Sequence, residues 1–169
     1  MLKRLLLTVT ILVSCVGCDQ TTKSMAKTYL SETQAVSLLG GSVRLQVAKN
    51  YGAFLSLGAD LDPSMRTAFL SVGVASVLVA LFIYCLVSTP SNSIVVPALA
   101  IIIGGGVSNL IDRLVYGGYV VDFLNVGIAS IRTGIFNVAD VFIMSGVFLL
   151  LSSDWISKRG SQNAKTQAP

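Results

Sequence analysis

Acid–base chemistry in this chain has to come from carboxylates. The 169 residues contain eight acids, seven of them aspartate, and no histidine. Without imidazole, Ser-His and Cys-His nucleophile pairs and His-metal sites are excluded. Three cysteines cannot complete a four-ligand zinc cage, so no metal and no cofactor is expected. Two carboxylates held close together offer a different route. They cannot both ionise easily, so one pKa rises, the other falls, and the pair titrates as a unit. The ionised member can take a proton from water while the protonated one donates to a scissile carbonyl.

The aspartates sort by their neighbours. Asp60 and Asp62 flank a turn at Pro63, and Asp154 follows the last apolar stretch, so these three are expected to be solvated or interfacial. Asp19 and Lys23 stand at i and i+4, the favourable order for a structural ion pair on one helix. Asn109, Asp112 and Arg113 share a helical face, and Asp112 with Arg113 is expected to form a structural clamp. Asp122 sits in Tyr119-Val120-Val121-Asp122-Phe123-Leu124, and Asp140 in Phe136-Asn137-Val138-Ala139-Asp140-Val141-Phe142. Neither stretch contains a cation. Asn109 and Asn137 are expected either to cap backbone or to hold a substrate carbonyl, with the second reading preferred. For Asp122 and Asp140 the residues alone support two readings equally. One is a proton-sharing pair suited to peptide hydrolysis. The other is a set of ordinary hydrogen-bonded buried acids, as in a transporter or a structural bundle.

The elements that position these groups follow from composition. Hydrophobic residues make up 53% of the chain and charged residues 12%, about half the charge of a soluble domain. Too few polar groups remain to cover a water-facing surface, which excludes soluble, disordered and disulfide-scaffold classes. A bilayer core takes about 20 helical residues. Residues 67–87 form one uninterrupted span, and 94–111 form another with Pro97 and Gly104-Gly105-Gly106 inside it. The apolar runs at 5–18 and 141–151 reach only about 21 Å and about 16 Å. To cross, they must take in Asp19 with Lys23, and Asn137 with Asp140. Lys3 and Arg4 precede the first span, and Lys158, Arg159 and Lys165 follow the last, which places both termini in the cytoplasm.

The expected architecture is a mainly α membrane protein with four transmembrane helices near residues 5–24, 67–87, 94–113 and 136–153. Outer segments cover 25–66 and 116–134, and Asp19, Asn109, Asp112, Asp122 and Asp140 fall near the outer face. In the outer segments Val43, Leu45 and Val47 alternate with Arg44, Gln46 and Ala48, between turn signals at Gly40-Gly41 and Asn50-Tyr51-Gly52. Gly117-Gly118 opens a second extended stretch over 119–126, and Gly127 and Gly134 bracket a third. A small β-sheet on the outer face is the resulting expectation. Residues 1–156 make one integral membrane domain, and 157–169 a polar tail expected to be disordered. The net charge of +4 is spread over both ends and reads as topology rather than nucleic-acid binding.

Residues 1–15 also carry the pattern of a lipoprotein signal peptide, a basic start and an apolar stretch ending in Leu12-Val13-Ser14-Cys15. Cleavage would leave an odd number of crossings, so the segment is read as part of the first span. Cys15, Cys18 and Cys85 are expected to be buried, inert thiols.

Five segments, in order, resemble the bacterial lipoprotein signal peptidase (signal peptidase II) family. They are Asp19-Gln20-x-x-Lys23, Asn50-x-Gly52-Ala53, Gly104-Gly105-Gly106 with Asn109-Leu110-Ile111-Asp112-Arg113, Val120-Val121-Asp122-Phe123, and Phe136-Asn137-Val138-Ala139-Asp140. The resemblance implies an aspartic endopeptidase with Asp122 and Asp140 as its catalytic pair. The implied reaction removes the signal peptide from diacylglyceryl-modified prolipoproteins just before the lipidated cysteine. It further implies that Asn50, Gly52, Asn109, Arg113 and Asn137 bind substrate or shape the pocket, with Asp19, Lys23 and Asp112 in support. The implied setting is the bacterial inner membrane, with membrane lipids and lipid-modified prolipoproteins as partners and a monomeric enzyme. Two departures stand out, Gly52-Ala53-Phe54-Leu55 in the outer loop and Ser108 before Asn109; they leave room for a divergent paralogue. The competing readings are a small ion-coupled transporter, a non-catalytic membrane assembly protein, and a Ser-Lys peptidase using Ser24. The last is disfavoured because adjacent helical residues point about 100° apart.

Overall fold

Four long helices carry most of the chain: α1 (Leu2–Tyr29), α2 (Pro63–Val87), α3 (Val95–Val115) and α4 (Val138–Thr166). The computed structural model describes residues 1–52, 62–88, 90 and 92–166, with the backbone alone for 63, 66, 67 and 154–166. The expectations for Asp60, Ala53, Phe54, Leu55 and the side chains of Asp154, Lys158, Arg159 and Lys165 lie outside the described residues. Among the described residues two stretches, Ala68–Val87 and Val95–Val115, are long and apolar enough to cross a membrane, and Val138–Ser153 is a shorter apolar helix.

The helices bury polar as well as apolar residues and leave many apolar side chains exposed. The buried residues of α1 are Thr8, Cys15, Asp19, Lys23 and Ala26, a single narrow stripe at helical spacing. Leu6, Val13 and Met25 on the same helix are exposed. α2 begins at Asp62, whose carboxylate accepts the Ser64 amide at 2.9 Å, with Pro63 in the first turn. Its Phe69, Val72, Val77 and Ile83 face outward. Helix α3 is the central element, with Val96, Ala98, Leu99, Ala100 and Ile103 buried.

Three successive glycines let three helices close on α3. A Cβ at Gly104 would lie 2.7 Å from Cys15 Cβ on α1, one at Gly105 2.5 Å from the Ala139 carbonyl oxygen on α4, and one at Gly106 2.6 Å from Leu78 Cδ2 on α2. Successive residues on a helix are about 100° apart, so one short run serves three directions.

An antiparallel sheet of order β1-β2-β3-β4 covers the end of the bundle: β1 (Val36–Leu38), β2 (Val43–Asn50), β3 (Val120–Ile128) and β4 (Ile131–Arg132). Ala26, Val47, Val121 and Phe123 form a core cluster, with Leu30 and Val138 packed against it. This ties the sheet to the C-terminal end of α1 and the start of α4. The extended stretches expected at 43–48, 119–126 and 128–133 correspond to β2, β3 and β4.

The backbone of α4 is helical as far as Thr166, beyond the expected start of the polar tail at 157. One expectation needs correction. Cys18 is exposed, whereas Cys15 and Cys85 are buried as expected, and all three thiols are free.

Replacing Gly105 with Ala is expected to lower stability by about 1–3 kcal/mol, because the Ala139 backbone cannot yield. Gly73→Ala, whose new methyl meets nothing within 4 Å, is expected to leave it unchanged. Thermal unfolding in detergent checks both.

Candidate active site

Asp122 is placed by strand register. A β-bulge in β2 between Leu45 and Ala48 inserts one residue, so that Ala48 pairs with Asp122. Asn50, two residues further, then shares the Asp122 face. Without the bulge Lys49 would take that position. Asn50 Nδ2 donates to Asp122 Oδ2 at 2.9 Å, and Asn50 Oδ1 accepts the Gly52 amide at 3.0 Å.

Asp140 is placed by a helix cap. Asn137 Oδ1 accepts the Asp140 amide at 2.9 Å, and Asp140 Oδ2 accepts the Asn137 amide at 3.1 Å. This reciprocal box satisfies two donors at the start of α4 and puts a carboxylate where the helix dipole favours it. The Asn137 side-chain amide donates to Asp122 Oδ1 at 2.6 Å and to Asn109 Oδ1 at 3.1 Å. Asn109 Nδ2 donates to Asp140 Oδ1 at 2.9 Å. One fully buried residue, Asn137, thus touches both carboxyl groups, and Asn109 closes the ring. Of the two roles weighed for Asn137, the cap is the one the geometry displays.

Beneath this ring lies a buried ionic cluster. Lys23 Nζ is 2.7 Å from Asp19 Oδ2, 2.9 Å from Asp112 Oδ2 and 2.9 Å from Asn109 Oδ1. Each acid also holds a backbone amide. Asp19 Oδ1 accepts from Ala139 N at 2.8 Å, and Asp112 Oδ2 from Val121 N at 2.9 Å. Those amides immediately precede Asp140 and Asp122. The cluster therefore fixes both carboxyl-bearing residues through their backbones. Lys23, Asp19 and Asp112 are no more than 2% exposed.

The site residues singled out in the sequence converge here, with two changes of partner. The Asp112–Arg113 clamp is not formed. Adjacent helical residues diverge, so Asp112 faces Lys23 on α1 while Arg113 donates to the Gly52 carbonyl at 3.2 Å and the Asn109 carbonyl at 3.4 Å. Asp122 and Asp140 are also not remote from cations. Arg113 lies in the field of both, and Lys23 acts on Asp122; each cation comes from a different element. Gln20 and Ser108 were given no role of their own among the expected site residues. Gln20 Nε2 donates to Asp112 Oδ1 at 2.8 Å and to Ser108 Oγ at 3.0 Å, and Ser108 Oγ donates to Asp19 Oδ2 at 2.7 Å. Polar residues inside apolar helices were the only available signal, and they do not specify a partner.

Burial pushes the Asp122 carboxyl up to about 6. The Asn50 hydrogen bond opposes this, the Asp140 charge adds to it, and the Asn137 bond opposes it again.

A family model described as signal peptidase (SPase) II matches residues 11–156. The chain belongs to the signal peptidase II family. The lipoprotein signal peptidase of Borrelia hermsii (strain HS1 / DAH) is 31% identical over 163 residues, covering 94% of this chain and 95% of that one. The lipoprotein signal peptidase of Acinetobacter baylyi (strain ATCC 33305 / BD413 / ADP1) is 34% identical over 151 residues, covering 88% and 82%. A solved structure described as a bacterial membrane enzyme, determined in meso at 2.3 Å resolution, superposes with a TM-score of 0.76. It has 25% identity and covers 96% of this chain and 93% of that one. The chain is therefore a peptidase of a membrane-protein family.

Substituting Lys23 by Met leaves two buried acids without their cation, and a loss of about 3–5 kcal/mol is expected. Lys49→Met breaks the exposed pair with Glu32 and the contact over the Tyr119 ring, and a far smaller loss is expected because water and salt screen these surface contacts. Unfolding midpoints of the two variants in the same detergent compare these costs.

Proposed function

We propose that this signal peptidase II is an aspartic endopeptidase. It cuts diacylglyceryl-modified prolipoproteins immediately before the lipidated cysteine, with Asp122 and Asp140 as its catalytic pair. The observation that carries the reading is the shared contact of both carboxyl groups with Asn137. The names of the relatives support the substrate class.

In this mechanism Asp122, whose carboxyl holds its proton up to about pH 6, is the general acid, and Asp140 is the general base. Asp140 takes a proton from water as the water oxygen attacks the scissile carbonyl carbon. Asp122 gives its proton to the carbonyl oxygen, forming a neutral tetrahedral diol. On collapse the C–N bond breaks. The proton on Asp140 passes to the leaving nitrogen, and Asp122 recovers one from the diol hydroxyl. The backbone anchors below the pair limit its movement while charge redistributes.

Four helices cross the bacterial inner membrane in this reading, with both termini cytoplasmic and the catalytic pair near the outer face. Asp19, Asn109, Asp112 and Asp140 all lie at one end of the bundle, which fits that topology. A cleft of about 550 Å³ runs between α2 and α3, lined by Ser71, Val72, Ala75, Ser76, Val79, Leu110 and Leu114. Its apolar walls suit a signal-peptide helix entering sideways from lipid. Arg113 Nε has no partner among the described residues, which leaves a donor for a substrate carbonyl near Gly52 and Asn50. The enzyme acts as a monomer, because one chain supplies both acids.

Asp122→Asn and Asp140→Asn are each expected to cut conversion of a lipidated precursor by at least about 100-fold, with normal membrane levels. Retention of activity in either variant contradicts the paired mechanism. The pH profile supplies an independent check. Asp122 acts in its protonated form, so kcat falls as pH rises through about 6. Asn50→Ala removes a bond that favours the ionised form, which raises the Asp122 pKa and moves this falling limb to higher pH. The limb's position, read from kcat against pH, is the quantity to compare.

A further inference from the structure

Asp19 takes its hydrogen bonds from three helices. Lys23 Nζ on α1 and Ser108 Oγ on α3 both donate to Asp19 Oδ2 at 2.7 Å, and the Ala139 amide on α4 donates to Oδ1 at 2.8 Å. Lys23 belongs to the same helix as Asp19, so that ion pair does not tie Asp19 to α3. Among the described residues the Ser108 hydroxyl makes the one hydrogen bond from α3 to Asp19. A serine side chain is short, and its reach depends on packing one turn away. Cys15 and Gly104 lie four residues before Asp19 and Ser108, on the same helical faces. A Cβ on Gly104 would stand 2.7 Å from Cys15 Cβ, so the two backbones have already closed where Ser108 meets Asp19. Both residues are fully buried.

Charge counting shows what the hydroxyl supplies. One ammonium serves two buried carboxylates, and its three hydrogens go to Asp19, Asp112 and Asn109. Neutral donors must meet the second negative charge. Asp112 has the Val121 amide and Gln20 Nε2. Asp19 has the Ala139 amide and Ser108. Gln20 Nε2 also donates to Ser108 Oγ at 3.0 Å, which leaves the single serine hydrogen for Asp19.

Ala139 depends on Asp19 for a physical reason. It stands in the first turn of α4, where backbone amides have no carbonyl of their own helix to bond. The Asp140 amide is served by the Asn137 cap, whereas the Ala139 amide is served by Asp19. The Asp19 carboxylate thus divides its duties. Lys23 and Ser108 pin Oδ2, which turns Oδ1 toward the start of α4.

We propose that Ser108 is a positioning residue for Asp140: by pinning Asp19 it fixes the Ala139 amide, and with it the carboxyl-bearing residue that follows. The inference rests on the aspartic mechanism proposed above, in which Asp140 takes a proton from water. A displaced Asp140 slows turnover. Substrate binding is spared, because Ser108 is fully buried beneath the ring.

The test uses the full-length enzyme in lipid nanodiscs with a lipidated precursor. Ser108→Ala deletes the hydroxyl and adds no bulk. The expected result is a kcat lower by about 10-fold or more, with KM within about 2-fold of wild type. Ser108→Thr keeps the hydroxyl and restores kcat. In the Asp140→Asn background Ser108→Ala costs nothing further, because the group it positions is gone. Single-turnover rates with excess enzyme keep the residual activity of that background measurable. Amide hydrogen exchange gives a readout independent of turnover. Exchange at Ala139 is expected to rise by about 10-fold or more in Ser108→Ala, while Val121, held by Asp112, keeps its wild-type rate. A merely structural serine gives another pattern: Ala139 and Val121 lose protection together, and kcat falls by the same factor in both backgrounds. That result overturns the proposal, and so does an unchanged kcat. If the alanine variant does not fold, Ser108→Cys, of similar size with a weaker donor, is read by the same criteria. Wild-type turnover in Asp140→Asn alone overturns the aspartic reading itself, and is told apart from the failures above because those leave Asp140 essential.

Discussion

A lysine ammonium in an apolar interior is tolerable only when anions and acceptors surround it. Lys23 meets that condition with Asp19 from its own helix and Asp112 and Asn109 from α3. The same two acids reach past the lysine to hold the amides of Ala139 and Val121. Separating α1, α3, α4 or β3 from the others would strand a charge or a donor away from water. The elements are therefore locked in one register, and that register sets where Asp122 and Asp140 sit.

Packing cooperates with the ionic cluster. Close approach at Gly104, Gly105 and Gly106 brings α1, α4 and α2 onto α3 one turn from Ser108 and Asn109. A larger residue there would move Asp19 and Ala139 off the central helix and loosen the bonds between them. α2 meets α3 but leaves an open cleft along it. The rigid part of the molecule thus lies under the carboxyl groups.

Local patterns in the sequence carried part of this. The i, i+4 spacing of Asp19 and Lys23 implied their ion pair, and period-two alternation implied β2. Partner choice across elements was not local. Asp112 could have turned to Arg113 or to α1, and only the three-dimensional approach of Lys23 decides. The β2 bulge that puts Asn50 instead of Lys49 beside Asp122 leaves no compositional trace. Gln20 and Ser108 were visible as polar residues, yet their acceptors lie about ninety positions away in the chain for Gln20 and for Ser108. The Asn137–Asp140 box was readable as a cap spacing, but its second contact, with Asp122, was not.

Asp122 and Asp140, bridged by Asn137, sense each other's charge. Carbon-13 carboxyl NMR of the labelled enzyme, following Asp122 through a pH titration, tests it most directly when the wild type is compared with Asp140→Asn. A wild-type midpoint near 6 is expected, moving to lower pH once the neighbouring negative charge is removed. An Asp122 midpoint that stays the same in both proteins would mean the two carboxyl groups titrate independently, and the paired account would be wrong.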